Sequence, residues 1–399
     1  MDAEEASADD RTIGRRLRQI RNARNKTLVV VAGLAGMSKS HLQRIETGEI
    51  ALDRRSEIVA LARALEVAPS ELTSMPMPAP ANGHQDTATI EIRHVLQAVI
   101  VRAVNGQVQT TEQLSARVRA IGELRQRCAY REMGAALPSL IADLHTSIAG
   151  GRDDARLLHL AVLLHVLGTQ TYLHIVRAPD DLRLVAASLA NDAAERLGDP
   201  VSLGVAAFGF SNVLLASGSF VLADTVVRRA GVTPGADAEL AGMLALSTSL
   251  TAAADRRPAE VAAALDYAAD LAGHTGEGNR FFLSFGPTNV TLWRIGAALE
   301  AGDYARTVSL AETVTPERIR ASSRRAGYWM SYGRALARIR RREQEAVLAL
   351  RRAETISPDE ARRNPFVREV LAQLRGRVRR DSPAGRELQK MAHRFGLPV

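Results

Sequence analysis

Four short breaks interrupt an otherwise continuous helical pattern: ASGSF (216–220), ADRRPAE (254–260), EAGDYAR (300–306) and RIRRREQEA (338–346). The breaks near 218, 256, 302 and 342 recur at spacings of 38 to 46 residues, and each splits a pair of helical segments. A period near 40 with two helices per unit is the pattern of stacked helical hairpins, in which each unit buries its apolar face only against its neighbours. Small residues in GVAAFGF and DYAADLAG let such neighbours approach closely. A further break, RLGDP (196–200), precedes the set, and longer helices are expected near 88–104, 111–131 and 136–149. Strand signal is nearly absent, so the expected fold class is all-α, with an α-helical repeat solenoid and a concave binding face.

The first seventy residues follow a different rhythm. Ile13, Leu17, Ile20 and Ala23 fall at helical spacing in 12–24, and LVVVAGLA (28–35) makes a second short helix ending before Gly36. A third runs over about 39–47, with Ser38 as N-cap and Gly48 as its stop. RRSEIVALARALEV sets Ile58, Leu61, Ala62 and Leu65 on one face of a fourth, and Pro69 opens a last turn. The expected divisions are an acidic disordered tail (1–10), a five-helix domain (11–73), a Pro-rich linker SMPMPAPANGHQD (74–86) and the helical repeats (87–399).

Charge separates these regions further. Residues 11–73 carry twelve Lys/Arg against six Asp/Glu, and residues 317–394 carry twenty-one against nine. A small basic unit points to a polyanionic partner, and the basic C-terminal stretch is either a second such surface or a solvated helix face. No apolar run approaches the roughly 18–20 residues of a membrane span. The polar, acidic first ten residues do not read as a secretory signal, and Cys128 as the sole cysteine fits a reducing cytoplasm.

The stretch MSKSHLQRIETGE (37–49) carries the functional reading. Met37, Leu42 and Ile45 lock the third helix against the second across the Gly36 turn, leaving Lys39, Ser40, Gln43 and Arg44 outward. A helix so placed can enter a major groove. Lys and Arg there donate to the O6/N7 edge of guanine and Ser pairs with several bases. Ser38 can cap the helix and touch a phosphate. The other reading of the same shape is a surface for protein contact.

LRQIRNARNKTL, AGMSKSHLQRIETGE and IVALARALEVAPSEL together resemble the Cro/CI-type (XRE) helix-turn-helix family of regulators over residues 12–73. The resemblance implies base reading by Lys39, Ser40 and Arg44. It implies phosphate or minor-groove contacts from His41, Gln43 and Arg54, and a structural ion pair between Arg21 and Glu46. Where the family often has Gln at the start of helix two this chain has Leu28, so one phosphate contact is missing and Lys26 is the candidate replacement. Residues 87–399 resemble the tetratricopeptide-like (TPR) sensor domains fused to such modules in peptide-responsive quorum regulators and actinobacterial regulators. FGPTNVTLWRIGAALEAGDYARTVSLAE and RRAGYWMSYGRALARIRRREQEAVLALRRAETISP are the clearest text.

Residues 281–332 hold eight of the sixteen aromatics. Phe285, Asn289 and Trp293 step by four and are expected on one helical face, as are Tyr328 and Tyr332. In the peptide-sensing relatives groove asparagines hold a peptide backbone; with Asn212, one or two repeats earlier, these residues are candidate ligand-binding residues. The alternative is that they form core between repeats. No catalytic constellation, metal set or cofactor motif stands out: Glu91 and His94 make a single Glu-x-x-His, and His159 and His165 fall on different faces. The expected protein is a cytoplasmic, homodimeric, non-enzymatic transcriptional regulator of double-stranded DNA with an inverted-repeat operator and a small-molecule or peptide effector. The alternative is a protein-interaction adaptor or antitoxin-like autoregulator.

Overall fold

The computed structural model describes residues 12–73, 87–151 and 154–397, and every regular element among them is a helix. The expected acidic tail (1–10) and linker (74–86) lie outside the described residues.

Helices α1 (Ile13–Ala23), α2 (Leu28–Leu34), α3 (Lys39–Glu46), α4 (Arg55–Leu65) and α5 (Pro69–Thr73) come first. Thr12, Thr27 and Ser38 start the first three: each lies in extended backbone, and its hydroxyl accepts the N–H three residues on. Gly36 (φ 66°) and Gly48 (φ 78°) end α2 and α3 in the left-handed region. Leu17, Val31, Leu42, Ile45, Leu52, Leu61 and Leu65 are closed off from solvent in one small core. Gly14 permits the closest crossing, since a Cβ there would overlap the Ile45 carbonyl oxygen. The Arg21 guanidinium grips Glu46 in a two-pronged bond, Nε to Oε1 at 2.7 Å and Nη2 to Oε2 at 2.9 Å. Its Nη1 also satisfies the Lys26 carbonyl at 3.0 Å, so one side chain ties α1, the next turn and α3.

The remaining chain begins with α6 (Thr87–Ile100), α7 (Thr111–Gln126), α8 (Tyr130–Ala149) and α9 (Asp154–Leu163). The helix expected over 111–131 ends early because Cys128 adopts φ 61°, so α8 starts at Tyr130. A π-helical segment (Leu164–Thr169) leads through α10 (Gln170–Ile175) to α11 (Asp180–Leu197). That segment buries His165 with Nε2 at 2.9 Å from His145, and burial pushes the His145 pKa down to about 4. His159 turns elsewhere, to the Ser202 hydroxyl at 2.9 Å.

Four helical hairpins follow. They are α12 (Pro200–Ala216) with α13 (Phe220–Ala230), and α14 (Pro234–Ala254) with α15 (Pro258–Thr275). Then come α16 (Pro287–Ala301) with α17 (Tyr304–Glu312), and α18 (Ser322–Leu336) with α19 (Glu343–Ile356). Each hairpin turns on one left-handed residue, Gly218, Arg256, Gly302 or Arg341. These are the four breaks seen in the sequence, to within a residue. The chain ends in α20 (Pro358–Arg363), α21 (Pro365–Arg375) and α22 (Pro383–Arg394). The late repeats reach back to the early ones. Gln126 donates to Asn279 Oδ1 at 2.7 Å, the Arg125 guanidinium to the Phe282 carbonyl, and the Tyr130 hydroxyl to Glu360 at 3.2 Å.

The five-helix unit does not stand apart from the repeats. Asp53 is fully buried and receives Arg338 at 2.6 Å and Arg334 at 3.4 Å. Helix α4 has Arg54 at its N-cap and no cap of its own. The missing acceptor is Glu300 of α16, which takes the Ser56 N–H at 3.3 Å and pairs with the Arg55 guanidinium at 2.8 Å. Glu369 of α21 accepts the Ile13 N–H at 2.9 Å, at the start of α1. Gln373 donates to the Glu49 carbonyl at 2.7 Å, and Phe366 packs on the small core between the guanidinium groups of Arg55 and Arg334. Carboxyl groups from the repeats thus accept the free N–H groups at the N-termini of two helices.

Two outcomes follow for stability. Removing Arg21 leaves Glu46, only 4% exposed, without its counter-charge. Arg21→Ala is expected to lower unfolding free energy by roughly 3 kcal/mol, read by denaturant titration; a change below about 0.5 kcal/mol would mean that water replaces the pair. Burial pushes the Glu369 pKa up to about 7, against the pull of the Ile13, Gly14 and Leu52 N–H groups. The folded chain therefore holds a proton that the unfolded chain releases near the ordinary carboxyl pKa. This contribution is fully present below about pH 4.5 and is lost as pH rises through 7, a span worth roughly 3 kcal/mol. Glu369→Gln should flatten that part of the stability profile between pH 5 and 8; an unaltered profile would show that Glu369 is already ionised throughout.

Candidate nucleic-acid interface

Helix α3 is short, and its two sides are sharply unlike. Leu42 and Ile45 are completely buried, while Lys39, Ser40, Gln43 and Arg44 are exposed. The 3.6-residue period does the sorting: once positions 42 and 45 point into the core, positions 39, 40, 43 and 44 must point away. Ser38 is spent as the cap, its hydroxyl accepting the His41 N–H at 3.1 Å. Lys39, Ser40 and Gln43 form no side-chain hydrogen bond or ion pair with any described residue. Arg44 meets only the exposed Glu49, with Nε at 3.2 Å. Side chains extended from a rigid, capped helix with donors unspent are what base-edge recognition needs.

His41 and Arg54 are placed differently from the other expected contacts. Both turn to the buried carboxylate of Glu57: His41 Nε2 lies 3.1 Å from its Oε1, and the Arg54 guanidinium donates to the same oxygen. They face a cavity of about 850 Å³ between α3 and the repeats, which also receives Arg44, Arg338 and Arg377. Lys26 is not available as a replacement phosphate contact. Its Nζ donates to the Ala64 carbonyl at 2.8 Å and to Glu66 at 2.9 Å, closing the C-terminal end of α4. The dipole at that helix end attracts the cation more locally than a distant phosphate would.

The six residues expected in a ligand groove are dispersed. Phe285 does not share a helical face with Asn289, because Gly286 and Pro287 intervene and α16 starts only at Pro287. Phe285 is fully buried, its ring filling the space beside Gly242. Asn289 is 3% exposed and its Nδ2 lies 3.3 Å from Met243 Sδ, with Trp293 packed against the same core. Tyr328 and Tyr332 belong to a second core. They stack at 5.9 Å between centroids, with the Tyr328 hydroxyl donating to the Ala311 carbonyl at 3.0 Å. Tyr332 reaches Glu312 at 3.2 Å, and Asn212 donates to the Phe208 carbonyl of its own helix at 2.8 Å. The aromatic run packs helix pairs together because flat rings fill the spaces that small residues such as Gly242 leave open.

The residues that the sequence reading missed are those on the repeat side: Asp53's partners Arg334 and Arg338, and Gln373 and Arg377 near the end of α3. Their only trace in the sequence is the density of arginine after residue 317.

Among the described residues, no helix is long and apolar enough to cross a membrane. No curated protein and no solved structure matches the chain. Residues 12–75 match the family of the helix-turn-helix domain, and the chain therefore carries such a domain over α1 to α5.

Proposed function

We propose that this chain is a sequence-specific DNA-binding transcriptional regulator, whose reading helix is α3 and whose repeats set how that helix is presented. The observation that carries this reading is the exposed, unspent polar edge of α3, Lys39, Ser40 and Gln43, on a helix whose other edge is fully buried. Arg44 completes the edge, because its surface pair with Glu49 is worth little and gives way to a better partner. Ser38 adds its place at the α3 N-terminus, where backbone N–H groups and the helix dipole favour a phosphate. His41 and Arg54 answer a phosphate only by releasing Glu57.

The repeats supply regulation. They grip both ends of the loop that follows α3 and the starts of α1 and α4, so a small molecule or peptide bound among the hairpins can shift α3 without touching it. Pairing of two chains through the repeats places two such helices on an inverted repeat, with half-sites about one or two turns apart.

The test begins with selection of bound sequences from a random duplex pool. On the selected site, Lys39→Ala and Arg44→Ala are each expected to cost about 1–3 kcal/mol in binding and to relax base preference, with unfolding curves unchanged. Full affinity in both variants would remove α3 from the interface.

A further inference from the structure

We infer that two arginine-bearing turns of the repeats, residues 338–342 and 375–380, continue the DNA contact of α3 as a second phosphate-binding strip. This rests on the DNA-binding reading above and assigns the basic C-terminal stretch to the same partner. Three observations carry it.

The first is placement. The cavity beside α3 has His41 and Arg44 on one wall, and Arg338 and Arg377 on the other. The two turns are tied to each other: Arg377 donates to the Ala337 carbonyl at 2.9 Å and to Glu343 at 2.8 Å. They are also tied to the loop after α3, through Arg338 on Asp53 at 2.6 Å and Gln373 on the Glu49 carbonyl at 2.7 Å. The reading helix and the two turns therefore keep one relative position, and a duplex seated on α3 passes over or beside them.

The second is unspent charge. Arg340, Arg341 and Arg380 are exposed and form no hydrogen bond or ion pair with any described residue. Elsewhere in the same region arginines are consumed by acids, as where Arg362 and Arg394 both converge on Glu354. Arg375 sits near enough to Arg380 to feel its charge, with burial the larger influence, and both lower its pKa. Like charges held together at a surface are unfavourable in isolation and are relieved by a polyanion.

The third is charge balance. Residues 317–394 carry twenty-one Lys/Arg against nine Asp/Glu, the larger cationic excess of the two basic regions, and part of it lies beside the reading helix. Duplex DNA is the partner of matching chemistry, since its phosphates recur along the groove edge and need only exposed cations on a rigid support.

The experiment uses the full chain and two random-sequence duplexes, 14 and 40 base pairs long. It compares the wild type, the triple variant Arg340→Ala/Arg341→Ala/Arg380→Ala, the matching triple Arg→Lys variant, and Lys39→Ala. The dependence of log affinity on log salt is measured for each. On the long duplex, the alanine triple variant is expected to reduce the slope by about 2–3, one phosphate contact per arginine, and the lysine variant to restore it. The short duplex, about 48 Å long, also covers both α3 and the turns beside it, so the same reduction is expected there. Lys39→Ala should weaken binding to both lengths alike. Equal slopes for wild type and the alanine triple variant on 40 base pairs would overturn the strip while leaving the reading helix intact. Absence of binding by the wild type to either duplex would overturn both readings. If slopes are equal and inorganic phosphate raises the melting temperature of the wild type but not of the alanine triple variant, the turns serve a free anion, and the proposal fails.

Discussion

Asp53 is the point on which the arrangement of this molecule depends. Its carboxylate is fully buried, and its partners, Arg334 of α18 and Arg338 of the turn that follows it, lie nearly three hundred residues later. A buried carboxylate without a partner would cost several kcal/mol, so the unit and the repeats cannot separate without rehydrating it. Glu300 and Glu369 work in the same sense from the other side. Each presents a buried carboxylate to helix-start N–H groups that their own helices leave unsatisfied. The three carboxylates convert a small helix-turn-helix unit and a stack of hairpins into one body.

This arrangement has a consequence for signalling. In a tethered arrangement, a ligand on the repeats could affect DNA binding only by changing the distance between two units. Here the stretch from Glu49 to the start of α4 at Arg55 is held by Gln373 of α21, Arg334 and Arg338 of the last hairpin, and Glu300 of α16. Under the proposed function, rotation of one hairpin against the next would alter those bonds unequally and tilt α3. The same geometry brings the arginine-bearing turns beside α3.

Much of this was legible in the chain. The N-cap Ser38, the glycine stops at 36 and 48, and the hairpin turns at 218, 256, 302 and 341 are local features. Each is decided by the φ preference or hydrogen-bonding reach of one or two residues. The outward set Lys39, Ser40, Gln43 and Arg44 follows from helical period once Leu42 and Ile45 are apolar. The aromatic run misled for a related reason. Spacing by four places Phe285, Asn289 and Trp293 on one face only if a helix spans all three, and Pro287 preceded by Gly286 starts the helix too late. Whether an asparagine among rings meets solvent or core depends on the next hairpin, here on Met243 and Gly242, and no local rule reaches that far.

Local chain chemistry settles the all-helical class, the break between a five-helix start and hairpins of about forty residues, and the outward side of α3. These depend on interactions within a few residues, whose energetics are set by chain geometry. Only the tertiary structure decided that Arg54 and His41 answer to Glu57 and that Lys26 closes α4. It also decided that the cap missing from α4 is supplied by Glu300, and that Asp53 is matched by Arg334 and Arg338. Apart from Arg54 and Glu57, which are three residues apart, each of these pairs a charge with one of many candidates distant in the chain. With forty-nine arginines available, charge alone could not name the partner, and burial made the choice.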